Sequence, residues 1–519
     1  MKGRTELLLA KRASDRYFLS LENVRGPVSV ISFSSVAEEA RIAARALADF
    51  GNDLINPTLR IGVTGLSRAG KTVFITALVH NLVRGGRLPV FEAMARGRIA
   101  SARLERQPED AVPRFDYETH LASLLEQRTW PQSTRRISEL RLVITYQPAS
   151  STTRENTLTL DLVDYPGEWL LDLPLLDKSY ADWSAETIVR SRESLRAALA
   201  APWHAHLATL RGEKPAEEQD ARVAAQLFTD YLRACRDERL AMSLLPPGRF
   251  LMPGDLEGSP ALTFAPLQPP QSGRVSSKSF WAMMERRYEA YKDHVVRPFF
   301  REHFARLDRQ IVLIDALAAF NSGPQAVQEL QASLGSILDC FRVGRSSWMS
   351  ALFRPRIDRI LFAATKADHL HHTSHDRLEH ILSRMVERAI GRAKLEGALV
   401  DVIALSAVRA TREATVERGG EKLPSIIGTP EAGEHAGGEV FDGKTETAMF
   451  PGDLPDSADA LFGPNASFKG LSGTTGADTD YRFLRFRPPA VRGSGMVPAT
   501  LPHIRLDRTL QFLLGDRLA

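Results

Sequence analysis

The chain has 519 residues, 43% hydrophobic and 25% charged, with 35 Gly and 30 Pro. These values sit near the globular average and exclude collagen-like, low-complexity and wholly disordered classes. The formal net charge of +4 is too small to imply nucleic-acid or membrane-surface binding.

At roughly 100–200 residues per domain, the length allows about two to four domains. The opening MKGRTELLLAKR carries an apolar run too short for a secretory signal. No stretch reaches about 18 uncharged apolar residues, so no membrane insertion is expected. Two cysteines, Cys235 and Cys340, build no disulfide framework and suit a reducing compartment. The expectation is a soluble, cytoplasmic chain with no nucleic-acid partner.

Val36 to Phe50 reads as an amphipathic helix, with Ile42, Ala46, Leu47 and Phe50 at helical spacing. Leu59 to Thr64 is a short buried strand. Gly65-Leu66-Ser67-Arg68-Ala69-Gly70-Lys71-Thr72 follows it and runs into an apolar helix from Lys71 to about Val83. The octapeptide matches G-x-x-x-x-G-K-[ST], whose backbone N–H groups cradle phosphate at a helix N-terminus. Ser67, Ala69, Gly70, Lys71, Thr72 and Val73 are the expected contacts. Lys71 reaches the outer phosphates, and the Thr72 hydroxyl takes a place on Mg²⁺. Arg68 either offsets transition-state charge or faces solvent.

Ser138–Tyr146 and Asn156–Val163 alternate as strands, and the polar stretch between them predicts an antiparallel hairpin. Asp161 is expected on its exposed face, with Thr157 and Thr159. Trp130-Pro131-Gln132-Ser133-Thr134-Arg135 precedes the hairpin. There Thr134, or Ser133 in its place, can offer a hydroxyl to Mg²⁺. Arg135 can meet phosphate oxygens, and Trp130 can cover the ribose or base. The plain alternative is an ordinary loop with a packed tryptophan. Asp164-Tyr165-Pro166-Gly167 closes the second strand. Asp164 can hold Mg²⁺ through water, and the Gly167 N–H can detect a γ-phosphate. Glu168 stands where small GTPases often carry the Gln that orients the attacking water. It accepts from water but cannot donate to phosphate, so slow intrinsic turnover is expected.

About 140 mostly helical residues follow (Ser184–Leu210, Ala216–Leu240, Ser277–Leu307), with a Pro/Gly-rich loop from Pro246 to Gly273. A connection of that size is a subdomain. Ile311–Asp315, Ile360–Ala364 and Leu399–Leu405 are apolar runs that suit parallel strands buried on both faces. Thr365-Lys366-Ala367-Asp368 follows the second of them. Asp368 can accept from the ring N–H and exocyclic amine of guanine, a donor pair adenine lacks. Lys366 can lie over the base plane, and the N–H groups of Ser406-Ala407-Val408 can meet the guanine carbonyl. His369, His371, His372, His375 and His380 cluster nearby. His371 and His375 have metal-ligand spacing on a helix, but a solvated helix start beside the base pocket is the expected reading.

Gly419–Asp480 holds eleven acidic residues, twelve Gly and five Pro, and is expected to be irregular apart from a hairpin at Val440–Met449. Tyr481–Ala519 holds seven Arg against two acids, which marks a segment boundary.

The segments Val63–Thr72, Trp130–Arg135, Asp164-Tyr165-Pro166-Gly167-Glu168-Trp169-Leu170, Ala364–His369, Ala407-Val408-Arg409-Ala410-Thr411 and the tail Leu501-Pro502-His503-Ile504-Arg505-Leu506-Asp507 together resemble the YcjX-like P-loop proteins, a bacterial family of stress-associated GTP-binding proteins. The resemblance covers about residues 65–510. It implies an α/β fold with a Ras-like core, a mostly parallel sheet with one antiparallel hairpin strand, a large helical insertion and a C-terminal extension. It implies GTP or GDP with Mg²⁺ as ligands, and contacts from Trp130, Ser133, Thr134, Arg135 and His369. It also implies a regulatory role and a membrane-protein neighbour as partner. The corresponding division is 1–55, 56–170, 171–308, 309–418 and 419–519. Two function classes stay open: a slowly hydrolysing GTP switch, and a nucleotide-binding interaction module with little turnover. An ATPase is a third.

Overall fold

The computed structural model describes residues 58–519, apart from 67, 108–109, 111, 133–135, 151–153, 238–239, 241, 271–275, 340–356, 396, 419, 437, 463–465, 467, 469–480, 482 and 492–499. The expected helix at Val36–Phe50 lies outside the described residues.

Seven strands form the central sheet: β1 (Thr58–Gly65), β2 (Ile99–Glu105), β3 (Ser138–Tyr146), β4 (Asn156–Asp164), β5 (Arg309–Ile314), β6 (Arg359–Ala364) and β7 (Leu399–Ala404). Their order is β2-β3-β4-β1-β5-β6-β7. β1, β4, β5, β6 and β7 are mutually parallel, and β3 runs against both of its neighbours. This is the expected Ras-like arrangement: α/β, mostly parallel, with one antiparallel strand. β2 is absent from the sequence reading because it lies at the sheet edge. Its stretch IASARLE leaves four side chains exposed and shows no apolar face.

The register aligns the carboxyl ends. Val63 stands beside Asp164, Gly65 beside Leu313, Ile314 beside Ala364, and Ala364 beside Ala404. Loops leaving one edge of a parallel sheet form the crevice where such folds bind ligands.

Helix α1 (Lys71–Val83) leaves the phosphate loop and is buried almost all round. It shares one apolar layer with β1, β3, β4 and the last helix. Helices over 180–302 form a second core: α2 (Tyr180–Arg190), α3 (Ser194–Leu207), α4 (Glu218–Cys235) and α5 (Phe280–Tyr291), which continues to Glu302. Ser179 and Ser279 cap α2 and α5 by accepting the N–H groups of Asp182 and Ala282. The expected helix Ser184–Leu210 is two helices, with a turn at Ser191–Glu193. The interior is aromatic: Trp183 stacks on Tyr288 and Trp203 on Tyr231, at 5.0 and 5.4 Å between centres. Helices α6 (Pro324–Asp339) and α7 (His375–Met385) cover the other sheet face.

The described residues from 420 to 462 are more ordered than their composition suggests. β8 (Arg412–Arg418), β9 (Glu421–Gly428) and β10 (Thr447–Met449) form an antiparallel sheet. Gly419-Gly420 joins the first two, a hairpin signal obscured by flanking charges and Pro424. The hairpin expected at Val440–Met449 does not form: Val440 pairs with His435, and Met449 pairs with Ile426. Helix α8 (Leu506–Leu514) buries Leu506, Leu510, Leu513 and Leu514 in the layer around α1.

Candidate functional site

Gly70 takes φ 85° at the start of α1, a left-handed conformation open to glycine without strain. Lys71 is buried and donates from Nζ to the Gly65 carbonyl at 2.8 Å, which wraps the side chain around the loop. Burial pulls its ammonium pKa below the ordinary value; the carboxylates of Glu168 and Asp164 oppose this, and Arg236 adds to it. Thr72 and Asp164 are also buried. A hydroxyl and a carboxylate held beside a phosphate loop suit a hard cation such as Mg²⁺. Arg68 stands at the loop surface with φ 63°. Desolvation, then repulsion from Arg236 and Arg485, lowers its pKa, so three guanidinium groups converge at this mouth.

Gly167 touches the phosphate loop itself. A Cβ there would come to 1.7 Å from the Gly65 carbonyl oxygen. Gly167→Ala is therefore expected to push the two segments apart, at about 1–3 kcal/mol, read as a lower thermal midpoint. Glu168 is 4% exposed and pairs with Arg236, whose Nη2 donates at 2.5 Å. Trp169 Nε1 donates to the Met252 carbonyl at 2.8 Å, and the Arg249 guanidinium lies over its ring. Gly167–Leu173 is thus fastened to the helical region.

At the other end of the edge, Lys366 adopts φ 60° and reaches Asp315 at 2.5 Å. Asp368 is 3% exposed, and the Ala410 N–H donates to its Oδ2 at 2.8 Å. The tail fixes the neighbouring loop: Ser406 and Ile504 exchange backbone hydrogen bonds at 3.1 and 2.8 Å, and Arg409 N–H donates to Pro502. The tail segment Leu501–Asp507 therefore scaffolds the loop at 406–409.

One cavity of about 340 Å³ unites these parts. Arg68, Ala69, Gly70, Lys71, Thr72, Val73, Trp130, Glu168, Lys366, Asp368, His369, Ala407 and Val408 all line it. Asp164 and Gly167 do not line it: Asp164 stands beside Val63 in the sheet, and Gly167 abuts Gly65. Ser67, Ser133, Thr134 and Arg135 lie outside the described residues.

Sequence reasoning missed a wall supplied by the C-terminal extension: Glu431, Arg485 and Phe486. Trp130 Nε1 donates to the Phe486 carbonyl at 2.7 Å, and the Phe486 ring meets His369 edge-on at 5.4 Å. Burial raises the Glu431 pKa, opposed by Arg485. The charge boundary at 480/481 precedes the segment that carries Arg485 and Phe486 but gives no sign of where it lands.

Two other expectations change. Asp161 is not on an exposed face: it is 1% exposed and takes both arms of Arg141 at 2.7 Å. His375 turns inward to the Ala367 carbonyl at 2.9 Å and is buried, so it does not join His371. His371 and His372 instead lie beside Glu413, which His372 meets at 2.8 Å.

Residues 59–518 match the family model described as YcjX-like family, DUF463. The chain is similar to a protein of Escherichia coli (strain K12) named Ras-like GTPase YcjX. They are 36% identical over 474 residues, covering 89% of this chain and 96% of that protein. It is also similar to a protein of the same name from Shewanella oneidensis, 34% identical over 482 residues, covering 89% of this chain and 94% of that one.

Proposed function

We propose that this chain, which belongs to the YcjX-like family, binds guanine nucleotide with Mg²⁺ in the cavity at the sheet edge and hydrolyses GTP slowly as a nucleotide-dependent switch. The observation that carries the reading is the joining of the phosphate-loop residues Arg68–Thr72 and a fixed, buried Asp368 in one cavity. The relatives' shared name, Ras-like GTPase, supports it.

In this reading the N–H groups of the Gly65–Thr72 loop hold the β-phosphate, and Lys71 leaves the Gly65 carbonyl for the outer phosphate oxygens. Thr72 and Asp164 are the described residues that would hold Mg²⁺, with Thr134 the further candidate. Bound Mg²⁺ supplies charge neutralisation at the β- and γ-phosphate oxygens. Asp368 accepts from the guanine ring N–H and amine, the Lys366 stem covers the base, and Ala407 and Val408 offer N–H groups to its carbonyl. Trp130, held by Phe486, closes the ribose side.

A γ-phosphate that draws in the Gly167 N–H would move Glu168 and Trp169 with it. Those residues grip Arg236 and Met252, so the helical insertion becomes the reporter of the bound state. The stress-linked role and membrane-protein neighbour implied by the family resemblance belong to this proposal. No described helix is long and apolar enough to cross a membrane.

Calorimetric titration with GTP, GDP and ATP in Mg²⁺ tests the reading, beside Asp368→Asn. Asn keeps the acceptor for Ala410 but turns an amide donor toward the guanine donors. Guanine affinity is expected to fall by roughly 10²-fold, the cost of about two hydrogen bonds to a charged group. Equal ATP and GTP binding, indifferent to position 368, would put the ATPase reading first.

A further inference from the structure

The group that follows Gly167 in a GTPase has two tasks. It must accept a hydrogen bond from the attacking water, and something beside it must donate to a γ-phosphate oxygen. A glutamine amide offers an acceptor and a donor, whereas an ionised Glu offers acceptors only. Glu168 therefore lacks half of the chemistry. The missing donor is in contact with it, since Arg236 Nη2 donates to Glu168 Oε1.

Arg236 comes from the helical insertion, where it caps the C-terminus of α4. Its charge and that of Glu168 are both felt by Lys71, which places the pair next to the phosphate loop. Glu168 lines the nucleotide cavity. The backbone on either side is clamped. Gly167 abuts Gly65, and a Cβ on Gly248 would come to 1.8 Å from the Glu168 carbonyl oxygen. Of the other two guanidinium groups, Arg485 is engaged by Glu434 at 2.8 Å in the C-terminal extension. Arg68 belongs to the phosphate loop itself and feels the Glu168 charge from there. Arg236, from outside the loop, is bonded directly to the Glu168 carboxylate.

We propose that Glu168 and Arg236 form a split equivalent of the hydrolytic glutamine, with Arg236 a catalytic arginine supplied in cis by the helical insertion. The assignment rests on reading the cavity as a GTPase site. The water oxygen bonds to the γ-phosphorus as the bond to the β,γ-bridging oxygen breaks. That oxygen keeps the electron pair in GDP, and the water proton leaves through the released phosphate. Glu168 accepts a hydrogen bond from the water throughout. Arg236 shifts its donors to the γ-phosphoryl oxygens as charge spreads over them.

The test compares wild type, Arg236→Ala, Arg236→Lys and the double variant Glu168→Gln/Arg236→Ala in the full chain. Single-turnover GTP cleavage, GDP affinity and affinity for GDP with aluminium fluoride are measured on each. Arg236→Ala is expected to slow cleavage about 10²–10³-fold and to lose the aluminium fluoride enhancement, with GDP affinity within about threefold of wild type. Arg236→Lys recovers little, because an ammonium does not reproduce the planar fork. The double variant regains at least about tenfold over Arg236→Ala, since one Gln supplies both functions. Normal guanine binding with undiminished cleavage in Arg236→Ala would overturn this assignment alone, as would loss of GDP affinity in that variant. Wild-type protein that bound no guanine nucleotide would overturn the site reading and this assignment with it.

Discussion

Lys71→Ala is expected to slow GTP cleavage roughly 10²–10³-fold, the usual cost of removing one preorganised donor from a developing oxyanion. The fold should survive. The hydrogen bond shown for Nζ is to the Gly65 carbonyl, and burial already disfavours the charged form of this side chain. What the substitution removes is a cation stationed between a phosphate loop and two buried carboxylates, Asp164 and Glu168. Triphosphate affinity should fall more than diphosphate affinity, because the lysine reaches the outermost phosphate. Phosphate release, read beside a thermal melt, checks both halves. Cleavage at the wild-type rate would leave the interaction-module reading in the lead.

Asp172 is expected to make the protein's stability fall as pH rises between about 4 and 6. It lies within the Gly167–Leu173 segment and is 2% exposed. Gly248 N–H and Tyr291 O–H each donate to it at 2.6 Å, and Arg249 N–H donates at 3.3 Å. Burial pushes its carboxyl from the ordinary 3.8 up to about 6; those donors and the Arg249 charge only partly offset it. The folded state therefore holds the proton more tightly than the unfolded chain. The stabilisation is complete below about pH 4 and lost as the pH passes 6, leaving a buried carboxylate that costs on the order of 3 kcal/mol at pH 7. Asp172→Asn removes the titration while keeping an acceptor for Gly248. Relative to wild type, that variant should gain stability by a similar amount between pH 4 and 7. Denaturant unfolding of both proteins across that range gives the comparison, and a difference that stays flat with pH would refute it.

The legible part of this protein is the part whose physics is local. Gly65–Thr72 is one contiguous octapeptide between a strand and a helix, so its glycine conformations and phosphate geometry follow from neighbouring residues alone. The apolar runs at 311–315, 360–364 and 399–405 announce doubly covered parallel strands, and the hairpin at 138–163 follows from period-two alternation. Asp368 is legible for the same reason, since it sits directly after a strand whose carboxyl end must open into the crevice.

Where the reading stopped, the chain returns from far away. Trp130 is held by Phe486 across 356 residues, and Arg236 reaches Glu168 across 68. Asp161 looks like a surface residue in an alternating strand until Arg141, on the neighbouring strand, buries it as an ion pair. Glu431, from a Gly-rich, acidic stretch whose composition suggests no order, and Arg485, from the Arg-rich tail after it, wall the same cavity. Residue pattern determined the phosphate loop, the strands and the aspartate that follows β6, because backbone propensity and apolar periodicity act over a few residues. Only the tertiary structure decided which charges meet across the cavity, because a side chain's partner there depends on how distant segments pack, not on its own neighbours in sequence.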